Sequence, residues 1–381
     1  MTKRSPVFLL AGVAFLIVVG MVMLMSTSIF SADASETDAY REVKKQVLWL
    51  ILGCGVCWAL ASIDYRFFQK HVWWFYGATL LLLAFCYIPG IGTTVNNENR
   101  WIKIGGAQMQ PSEIAKIMLA VILAHWFSMH PDSGNKFLRG FVFPMGIAGV
   151  MIALVLFEVD MGTTAVLSAS CFVILFVAGV NWKWLTGLVA MGVTGFWGML
   201  KYAPDRMERI TAFLDPEKHR FGDAWQQWIS LLALGSGGLE GRGIGEGRLK
   251  MLYMPFAHTD FIFPMIGEEL GLICTLLVVL AFVLIAVSGI AISFHAPDRF
   301  GMLLGLGVTC FIVFQACLNI GVTTAVLPNT GLPLPFVSYG GSALLAAMAA
   351  IGILLNIFRQ GKQRERLGED WVKGTRITPR L

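Results

Sequence analysis

The sequence has little charge for its size. Its 381 residues include 29 basic and 24 acidic side chains, so charged residues make up 14% of the chain, whereas about 25% is usual for a soluble domain. Apolar and aromatic residues together reach 56%. The shortage of charge excludes an ordinary soluble protein, because even a large core would need a charged surface around it. The abundance of apolar residues also excludes a disordered chain.

The charges that are present leave long uncharged runs between them. Nine stretches contain no Asp, Glu, Lys or Arg, namely 5–32, 46–63, 71–97, 117–131, 140–157, 161–182, 184–200, 270–297 and 300–358. A membrane crossing needs about 20 mostly apolar residues, and the last stretch can hold two crossings, separated by the proline-rich residues 328–335. The stretch 117–131 is long enough only when it is extended back to Pro111, which encloses Glu113 and Lys116. We therefore predict an all-α integral membrane protein with ten transmembrane helices.

The basic residues predict the orientation of these helices within one polytopic domain, residues 1–381. A cytoplasmic N-terminus places 15 Lys and Arg on the inner side, seven of them in a basic tail at about 359–381, against five in the short outer loops. The positive-inside rule then puts both termini in the cytoplasm. It also puts one large extracytoplasmic loop, about 202–260, between spans seven and eight. The net charge of +5 follows from this topology and indicates no nucleic-acid partner.

The outer loop carries a glycine-rich segment, residues 235–247, after a stretch at 225–234 that predicts a short amphipathic helix at the membrane interface. The segment contains seven glycines, and Arg242, Arg248 and Lys250 lie in it or directly after it. Glycine-rich backbone can turn several N–H groups toward one anion, and neighbouring basic side chains would complete a diphosphate site. A flexible hinge with solvated charges is the alternative, and these residues alone do not decide between the two.

A short polar motif stands where the outer loop enters the eighth span. It consists of His258, Thr259 and Asp260. Partial loss of solvation raises the basicity of a carboxylate, so Asp260 is a candidate general base for a lipid-borne substrate. Thr259 or Asp260 is equally suited to be the N-cap of the following helix. Capping and catalysis are compatible, and both interpretations stay open.

Two further charged groups lie in or beside predicted spans. Glu113 and Lys116 are three residues apart, which places them on one face of a helix, where we expect them to pair around a polar cavity. Such a pair could fix helix packing or contact a substrate directly. Asp160 directly precedes Met161-Gly-Thr-Thr164 and is a candidate N-cap for the sixth span.

Eight stretches spread over nearly the whole chain carry a common resemblance. They are Arg100-Trp101-Ile102, Gln110-Pro-Ser-Glu-Ile-Ala-Lys116, Asp160-Met-Gly-Thr163, Phe213-Leu-Asp-Pro216, Gly235-Ser-Gly-Gly-Leu239, His258-Thr-Asp-Phe-Ile-Phe263, Gly267-Glu-Glu-Leu-Gly271 and Leu334-Pro-Phe-Val-Ser-Tyr-Gly-Gly-Ser342. Their content and order resemble the SEDS family of bacterial cell-wall polymerases, which includes FtsW and RodA. Phe256 stands where the family often has Glu, and Val159 stands where it usually has Pro.

The resemblance implies a peptidoglycan glycosyltransferase of the bacterial cytoplasmic (inner) membrane. Such an enzyme polymerises lipid II into β-1,4-linked glycan strands at the outer face and releases the polyprenyl diphosphate. The implied partners are a class B penicillin-binding protein, which is a transpeptidase, and other division proteins. We assign catalysis to Asp260. Nine residues are assigned to the substrate cavity, namely Arg100, Glu113, Lys116, Asp160, Arg248, Lys250, His258, Thr259 and Ser338.

The implied reaction needs a base and a positively charged surrounding. A sugar hydroxyl is a poor nucleophile, so we expect Asp260 to take the proton from the 4-hydroxyl of GlcNAc as it attacks the anomeric carbon of MurNAc. The diphosphate leaves without a proton and needs positive charge around it. Arg248, Lys250 and the glycine N–H groups would supply that charge, and a divalent cation, Mg²⁺ or Mn²⁺, is the alternative. No metal ligand is assigned.

The stretches 243–255 and 266–271 are more similar to the division branch, FtsW, than to the elongation branch, RodA, which controls cell shape. Other functions stay open beside the polymerase. One is a lipid II flippase or transporter, although transporters concentrate their polar groups near the membrane midplane. A scaffold that only recruits the transpeptidase is another, and it would make Asp260 dispensable.

Overall fold

The computed structural model describes residues 4–31, 40–88, 90, 92–95, 98–104, 107–202, 207, 211–222, 224–249 and 259–374. Most of this part of the chain is helical. The helices are α1 (Ser5–Ser31), α2 (Arg41–Ser62), α3 (Arg66–Lys70), α4 (Val72–Phe85), α5 (Pro111–Met129), α6 (Phe143–Phe157), α7 (Met161–Val177), α8 (Trp182–Tyr202), α9 (Trp225–Ser236), α10 (Ile262–Phe294), α11 (Arg299–Thr323) and α12 (Gly341–Gly374).

Many of these helices have the length and composition of membrane spans. Within the described ranges, seven helices are long and apolar enough to cross a membrane, and α4 and α7 are shorter apolar helices of 14 and 17 residues. In water such helices would expose large apolar surfaces, whereas in a bilayer their backbone groups are satisfied internally. The chain is therefore a multi-pass membrane protein.

One part of the fold corrects the all-α prediction. Between α4 and α5 lies an antiparallel sheet of three strands, β1 (Gly92–Val95), β2 (Glu98–Ile104) and β3 (Ala107–Met109), in the order β1-β2-β3. Thr93 of β1 pairs with Trp101 of β2. Threonine, tryptophan and isoleucine favour strands, but the strands are too short and too polar to stand out beside apolar runs of span length. The fold is mostly helical with this small sheet added.

The α11 helix lies at the centre of the molecule. It packs against α5, α7 and α10, while α12 packs mainly against α2, and α1 packs against α10. The Asp298 carboxylate caps the N-terminus of α11 by accepting the N–H of Gly301 at 2.7 Å. Because neighbours surround α11, the polar side chains along it are enclosed by protein.

Residues 324–340 join α11 to α12 and are called the connecting segment below. Leu332, Leu334, Phe336 and Val337 in it are buried, so this segment runs through the protein interior. Irregular backbone inside a membrane protein needs hydrogen-bond partners from its surroundings. Side chains of α11 supply several of them, as described in the next section.

The predicted amphipathic helix in the outer loop is confirmed as α9. It packs against α10 and α11. Its buried Gln227 donates to the carbonyl of Leu327 at 2.8 Å, and its Ser230 hydroxyl donates to the carbonyl of Thr323. Part of the segment between α8 and α10 is thereby held against the end of the central helix.

Candidate active site

Asp260 lies in the turn that leads into α10. Its backbone carbonyl accepts a hydrogen bond from Asn319 Nδ2 at 2.7 Å, and the carbonyl of Thr259 accepts one from the Ser338 hydroxyl at 2.6 Å. The N-cap of α10 is Phe261, and no side chain caps it. The alternative that Thr259 or Asp260 acts as the N-cap is therefore wrong. Instead, two side chains from other parts of the fold hold the backbone of this turn.

The Asp260 carboxylate faces the connecting segment at Gly331. A Cβ atom on Gly331 would lie 3.6 Å from Asp260 Oδ2, and no other atom of a described residue, its chain neighbours aside, would come within 4 Å of it. Gly331 has a φ of +65°, in the left-handed region that glycine occupies without strain. The connecting segment therefore presents bare backbone to the carboxylate.

Two amide side chains of α11 hold the connecting segment. Asn319 Nδ2 donates to the carbonyl of Leu332 at 2.6 Å, and Gln315 Nε2 donates to the carbonyl of Pro333 at 2.9 Å. The two amides are four residues apart, so they lie on the same face of α11. Both residues are 2% exposed. One helix face thus fixes both the connecting segment and, through Asn319, the backbone of Asp260.

The predicted ion pair on α5 is confirmed. Lys116 Nζ lies 2.8 Å from Glu113 Oε2, and the side chains of the two residues are 0% and 3% exposed. The same ammonium donates to Gln315 Oε1 at 2.5 Å and lies 5.5 Å from the centre of the Phe311 ring. The pair is enclosed by protein and joined to the connecting segment through Gln315. This arrangement favours the interpretation that it fixes packing over direct substrate contact.

The prediction that Asp160 is an N-cap is confirmed, and the helix that it caps is α7. One carboxylate oxygen accepts the N–H of Thr163 at 2.9 Å, and the other accepts the Thr163 hydroxyl at 2.8 Å and Gln110 Nε2 at 3.0 Å. Arg100, on β2, has its guanidinium 4.0 Å from the Asp160 carboxylate. Asp160 therefore ties the sheet and the start of α5 to α7.

No site was predicted from the sequence at Glu158 and Val159, the two residues just before Asp160. Val159 has a φ of 65°, which is strained for a β-branched residue. Its carbonyl accepts a hydrogen bond from Arg100 Nη2 at 3.0 Å. Glu158 is buried, and neither carboxylate oxygen accepts a hydrogen bond from a nitrogen or oxygen donor among the described residues. Burial, and next the nearby Asp160 carboxylate, raises the pKa of Glu158 to about 8, although Cys86 and Arg100 oppose this shift. Glu158 is therefore mostly neutral at pH 7.

The glycine-rich segment binds an anion that belongs to the protein itself. Glu269 accepts the N–H of Gly245 at 2.9 Å and the Ser26 hydroxyl at 2.7 Å. Glu268 accepts the N–H of Arg248 at 2.8 Å. Both carboxylates are buried at the start of α10. The N–H groups of Gly245 and Arg248 are therefore already occupied by these two glutamates, which argues against their binding a diphosphate.

Close packing explains the glycines in this segment. The N–H groups of Arg242 and Gly243 donate to the carbonyls of Glu268 and Glu269 at 2.9 and 3.0 Å. A Cβ atom on Gly241 would lie only 2.2 Å from the carbonyl oxygen of Glu269. Residues 241–249 are therefore fastened to α10, which also contradicts the flexible hinge, while the side chain of Arg248 is exposed.

The structure brings together only some of the predicted site residues. Thr259, Asp260 and Ser338 meet at the start of α10. The Ser338 hydroxyl accepts the N–H of Leu334 at 2.8 Å in addition to its bond to Thr259, so it holds backbone in place. Asp160 and Arg100 form a separate cluster. Glu113 and Lys116 are on α5, on the side that contacts α11. Lys250 and His258 lie outside the described residues.

Sequence reasoning missed Gln315 and Asn319. Both lie in the uncharged run 300–358, where they are the amide pair at i and i+4 ahead of the proline-rich residues. Polar side chains within a span are costly and are commonly retained for function. Their spacing was the available signal, but it could not show that their partners are backbone carbonyls of the connecting segment and of Asp260.

The chain is similar to known proteins along nearly its whole length. A family model described as "Cell cycle protein", for FtsW, RodA and SpoVE, matches residues 7–363. "Stage V sporulation protein E" of Bacillus subtilis is 36% identical over 361 residues, which are 94% of this chain and 99% of that protein. A "Probable peptidoglycan glycosyltransferase FtsW" of Geobacter metallireducens is 36% identical over 355 residues, 93% of this chain and 94% of that protein.

Solved structures share the fold. One is a chain from a structure described as "Structural coordination of polymerization and crosslinking by a peptidoglycan synthase complex", with a TM-score of 0.76 and 28% identity, covering 92% of this chain and 98% of that one. The rod shape determining protein RodA of Thermus thermophilus has a TM-score of 0.68 and 26% identity, covering 92% and 96%. The motifs, the fold and these near full-length matches lead to one conclusion: the chain belongs to the FtsW, RodA and SpoVE family.

Proposed function

We propose that this protein is a peptidoglycan glycosyltransferase that polymerises lipid II into β-1,4-linked glycan strands for septal cell-wall synthesis. The observation that carries the proposal is the placement of Asp260. Its carboxylate lies beside bare backbone at Gly331, and Asn319 and Ser338 hold the turn that carries it. Family membership and relatives named FtsW support both the activity and the division type.

The proposal includes ten membrane crossings with both termini in the cytoplasm. Among the described residues, ten helices of at least 14 residues, α1, α2, α4 to α8 and α10 to α12, overlap the ten predicted spans and support this count. With this topology the loop 202–260 and Asp260 lie at the outer face of the bacterial inner membrane, where a lipid-linked substrate presents its sugars. The basic tail 359–381 lies in the cytoplasm, and residues 1–381 form one polytopic domain.

In the proposed reaction Asp260 is the general base. Its carboxylate accepts the proton of the GlcNAc 4-hydroxyl while that oxygen forms a bond to the anomeric carbon of MurNAc. The bond from this carbon to the diphosphate breaks, and its electron pair leaves with the polyprenyl diphosphate. Attack opposite the leaving group inverts the carbon and gives the β-1,4 bond. A positioned base contributes about 10²–10⁴ in rate.

The leaving diphosphate needs positive charge, which we assign to Arg248 and Lys250. The backbone of Arg248 is anchored by Glu268 at 2.8 Å, while its side chain is exposed. A guanidinium can bind two phosphate oxygens at once. We assign His258 and Thr259 to the substrate side of the site as neighbours of Asp260.

A divalent cation, Mg²⁺ or Mn²⁺, is the alternative source of positive charge. Within the described part of the chain, no three His, Cys, Asp or Glu side chains are grouped as a metal site would require. Mg²⁺ can nevertheless be held by one or two carboxylates together with substrate phosphate oxygens. Asp260 is the carboxylate that could take this part, and the cation would add electrostatic stabilisation of the leaving group.

The partners we propose are a class B penicillin-binding protein, which crosslinks the strands, and other division proteins. The support is indirect, since one solved relative is a chain of a peptidoglycan synthase complex. A lipid II flippase and an elongation-type polymerase are the alternatives. The enclosed Glu113–Lys116 pair offers little support to a flippase, because its polar atoms are already bonded to protein.

The test uses the full chain purified with its transpeptidase partner and supplied with labelled lipid II. We expect the wild type to form polymer and Asp260→Asn to lose about 10²–10⁴ of the rate, with folding, partner binding and lipid II binding retained. Glu240→Gln is the matched control, since Glu240 is an exposed acid in the same loop. Polymerisation at the wild-type rate by Asp260→Asn would overturn the mechanism. Lipid II movement across vesicles without polymer would favour the flippase.

A further inference from the structure

The side-chain amide of Asn319 joins the turn that carries Asp260, called the catalytic turn below, to the connecting segment. Both of its N–H groups are used, one on the carbonyl of Asp260 at 2.7 Å and the other on that of Leu332 at 2.6 Å. Its oxygen accepts no hydrogen bond from the described residues. A flipped amide would place this oxygen against two carbonyl oxygens, which repel it. The orientation of the amide is therefore fixed.

Because one nitrogen holds both carbonyls, the backbone of Asp260 and that of Leu332 cannot shift independently. Gly331, the neighbour of Leu332, is the residue that the Asp260 carboxylate faces, since a Cβ atom added to Gly331 would lie 3.6 Å from Asp260 Oδ2. Asn319 thus sets the distance between the carboxylate and the backbone opposite it. The amide touches only backbone of the catalytic residue, so its effect on the reaction is indirect.

Gln315 extends this arrangement by one helical turn. Its nitrogen donates to the carbonyl of Pro333, the residue after Leu332, and its oxygen accepts from Lys116. An amide can donate and accept at the same time, whereas a carboxylate has no donor and an ammonium has no acceptor. The buried ion pair on α5 therefore orients Gln315, and Gln315 in turn holds the connecting segment.

We infer that Asn319 and Gln315 are positioning residues that place Asp260 for proton transfer. The inference rests on the proposed function and adds to it residues that act through the catalytic carboxylate. Its physical basis is that general-base catalysis depends on the geometry of the reacting atoms, and a displacement of about 1 Å can cost about 10²-fold in rate. Loss of the amide should therefore lower kcat far more than it weakens substrate binding.

The chain offers a closely matched control. Asn356 on α12 is also fully buried, and its Nδ2 donates to two backbone carbonyls, those of Leu60 at 2.8 Å and of Ile63. It lies near the end of α2, away from Asp260. Asn319→Asp and Asn356→Asp each place a carboxyl group against two carbonyl oxygens, so both should destabilise the fold, although Asn356 Oδ1 also accepts a hydrogen bond from Gln360 at 2.8 Å. Only the first should disturb the catalytic turn.

The experiment measures polymerisation of labelled lipid II by the full chain with its transpeptidase partner, at equal concentrations of folded protein. We expect Asn319→Asp to lower kcat by about 10²-fold with KM changed by less than about threefold, and Asn356→Asp to keep the wild-type kcat. If Asn319→Asp does not fold, Asn319→Ser, which keeps a single donor, should show the same kcat-selective loss.

Two results would overturn the inference. One is a kcat for the Asn319 variants equal to that of Asn356→Asp, and the other is a loss confined to KM. Wild type and Asp260→Asn are measured in parallel. If the wild type forms no polymer, or Asp260→Asn polymerises normally, the proposed function fails and the inference fails with it. If both behave as proposed while the Asn319 variants keep kcat, the positioning role alone is wrong.

Discussion

The ammonium of Lys116 donates a hydrogen bond to the side-chain oxygen of Gln315 at 2.5 Å. This contact joins two residues that are 199 positions apart and connects α5 to the central helix α11. On its other side the ammonium pairs with Glu113. In the sequence, Glu113 and Lys116 form a charged pair that looks isolated within the fourth predicted span. In the structure, this pair begins a series of contacts that continues through Gln315 to the connecting segment.

The first prediction follows from this pair. Glu113→Gln leaves the buried Lys116 without its counter-charge, which typically destabilises a protein by about 3–5 kcal/mol. We expect a lower melting temperature and reduced polymerisation, because Gln315 loses the partner that orients it. Glu113→Leu combined with Lys116→Met should recover much of the stability, since a buried pair can be replaced by apolar side chains.

Arg66 provides the control for this prediction. Its ion pair with Asp298 at 2.9 Å is half-exposed, and such pairs are typically worth about 0–1 kcal/mol. Arg66→Gln should therefore change the melting temperature little. Equal losses in Arg66→Gln and Glu113→Gln would show that burial of the α5 pair is unimportant.

The second prediction concerns the glycine-rich segment. Glu269→Gln replaces the carboxylate that accepts the Gly245 N–H and the Ser26 hydroxyl with a neutral amide. Hydrogen bonds to charged groups contribute about 1.5–3 kcal/mol, so residues 241–249 should open more often. Hydrogen–deuterium exchange should rise there.

A rise in KM for lipid II should accompany this exchange, because Arg248 is anchored in the same stretch. Glu246→Gln, at an exposed acid in the segment, should change neither quantity. Unaltered exchange at residues 241–249 in Glu269→Gln would mean that the carboxylate does not hold the segment.

Glu158 gives a prediction about pH. Its pKa in the folded protein is raised to about 8, whereas an unfolded glutamate titrates near about 4.3. Because the folded state holds the proton more tightly, this contribution to stability is fully present below about pH 4.3 and is lost as the pH rises through about 8. The charged groups around it are Asp160 and Arg100, with Cys86 and Tyr87 adjacent.

The measurement is the melting temperature of the full chain in detergent between pH 5 and pH 8.5. The wild type should lose stability relative to Glu158→Gln as the pH rises, since the amide has no proton to release. Glu240→Gln, which removes an exposed acid, should follow the wild type. Parallel curves for the wild type and Glu158→Gln would contradict a raised pKa at this carboxyl.

Local patterns in the sequence predicted what depends on local structure. The apolar runs predicted the positions of the helices, the three-residue spacing predicted the Glu113–Lys116 pair, and the position of Asp160 before a helix predicted its cap. Each of these features is decided by residues within a few positions of one another. The small sheet was not predicted, because its strands are short and lie beside apolar runs of span length.

The contacts that shape the candidate site were beyond local patterns. Seven glycines beside basic residues suit an external anion and an internal carboxylate equally well, and only the fold shows that Glu268 and Glu269 occupy the N–H groups. Likewise, the sequence shows Asn319 only as one polar residue within an apolar run. Its partners Asp260 and Leu332 are 59 and 13 residues away, and their convergence depends on how α10, α11 and the connecting segment pack.

The last prediction separates backbone strain from chemistry at Gly331. An alanine there must adopt a φ of +65°, which costs about 1–2 kcal/mol, and its methyl group would touch the Asp260 carboxylate at 3.6 Å. Gly179, between α7 and α8, has a φ of +86°, and no atom in the described part of the chain would lie within 4 Å of a Cβ atom there. Gly331→Ala and Gly179→Ala should therefore lower the melting temperature by similar amounts. Only Gly331→Ala should lower kcat, because only its methyl group would contact the base, and equal kcat values in the two variants would show that the approach of the connecting segment to Asp260 does not affect the reaction.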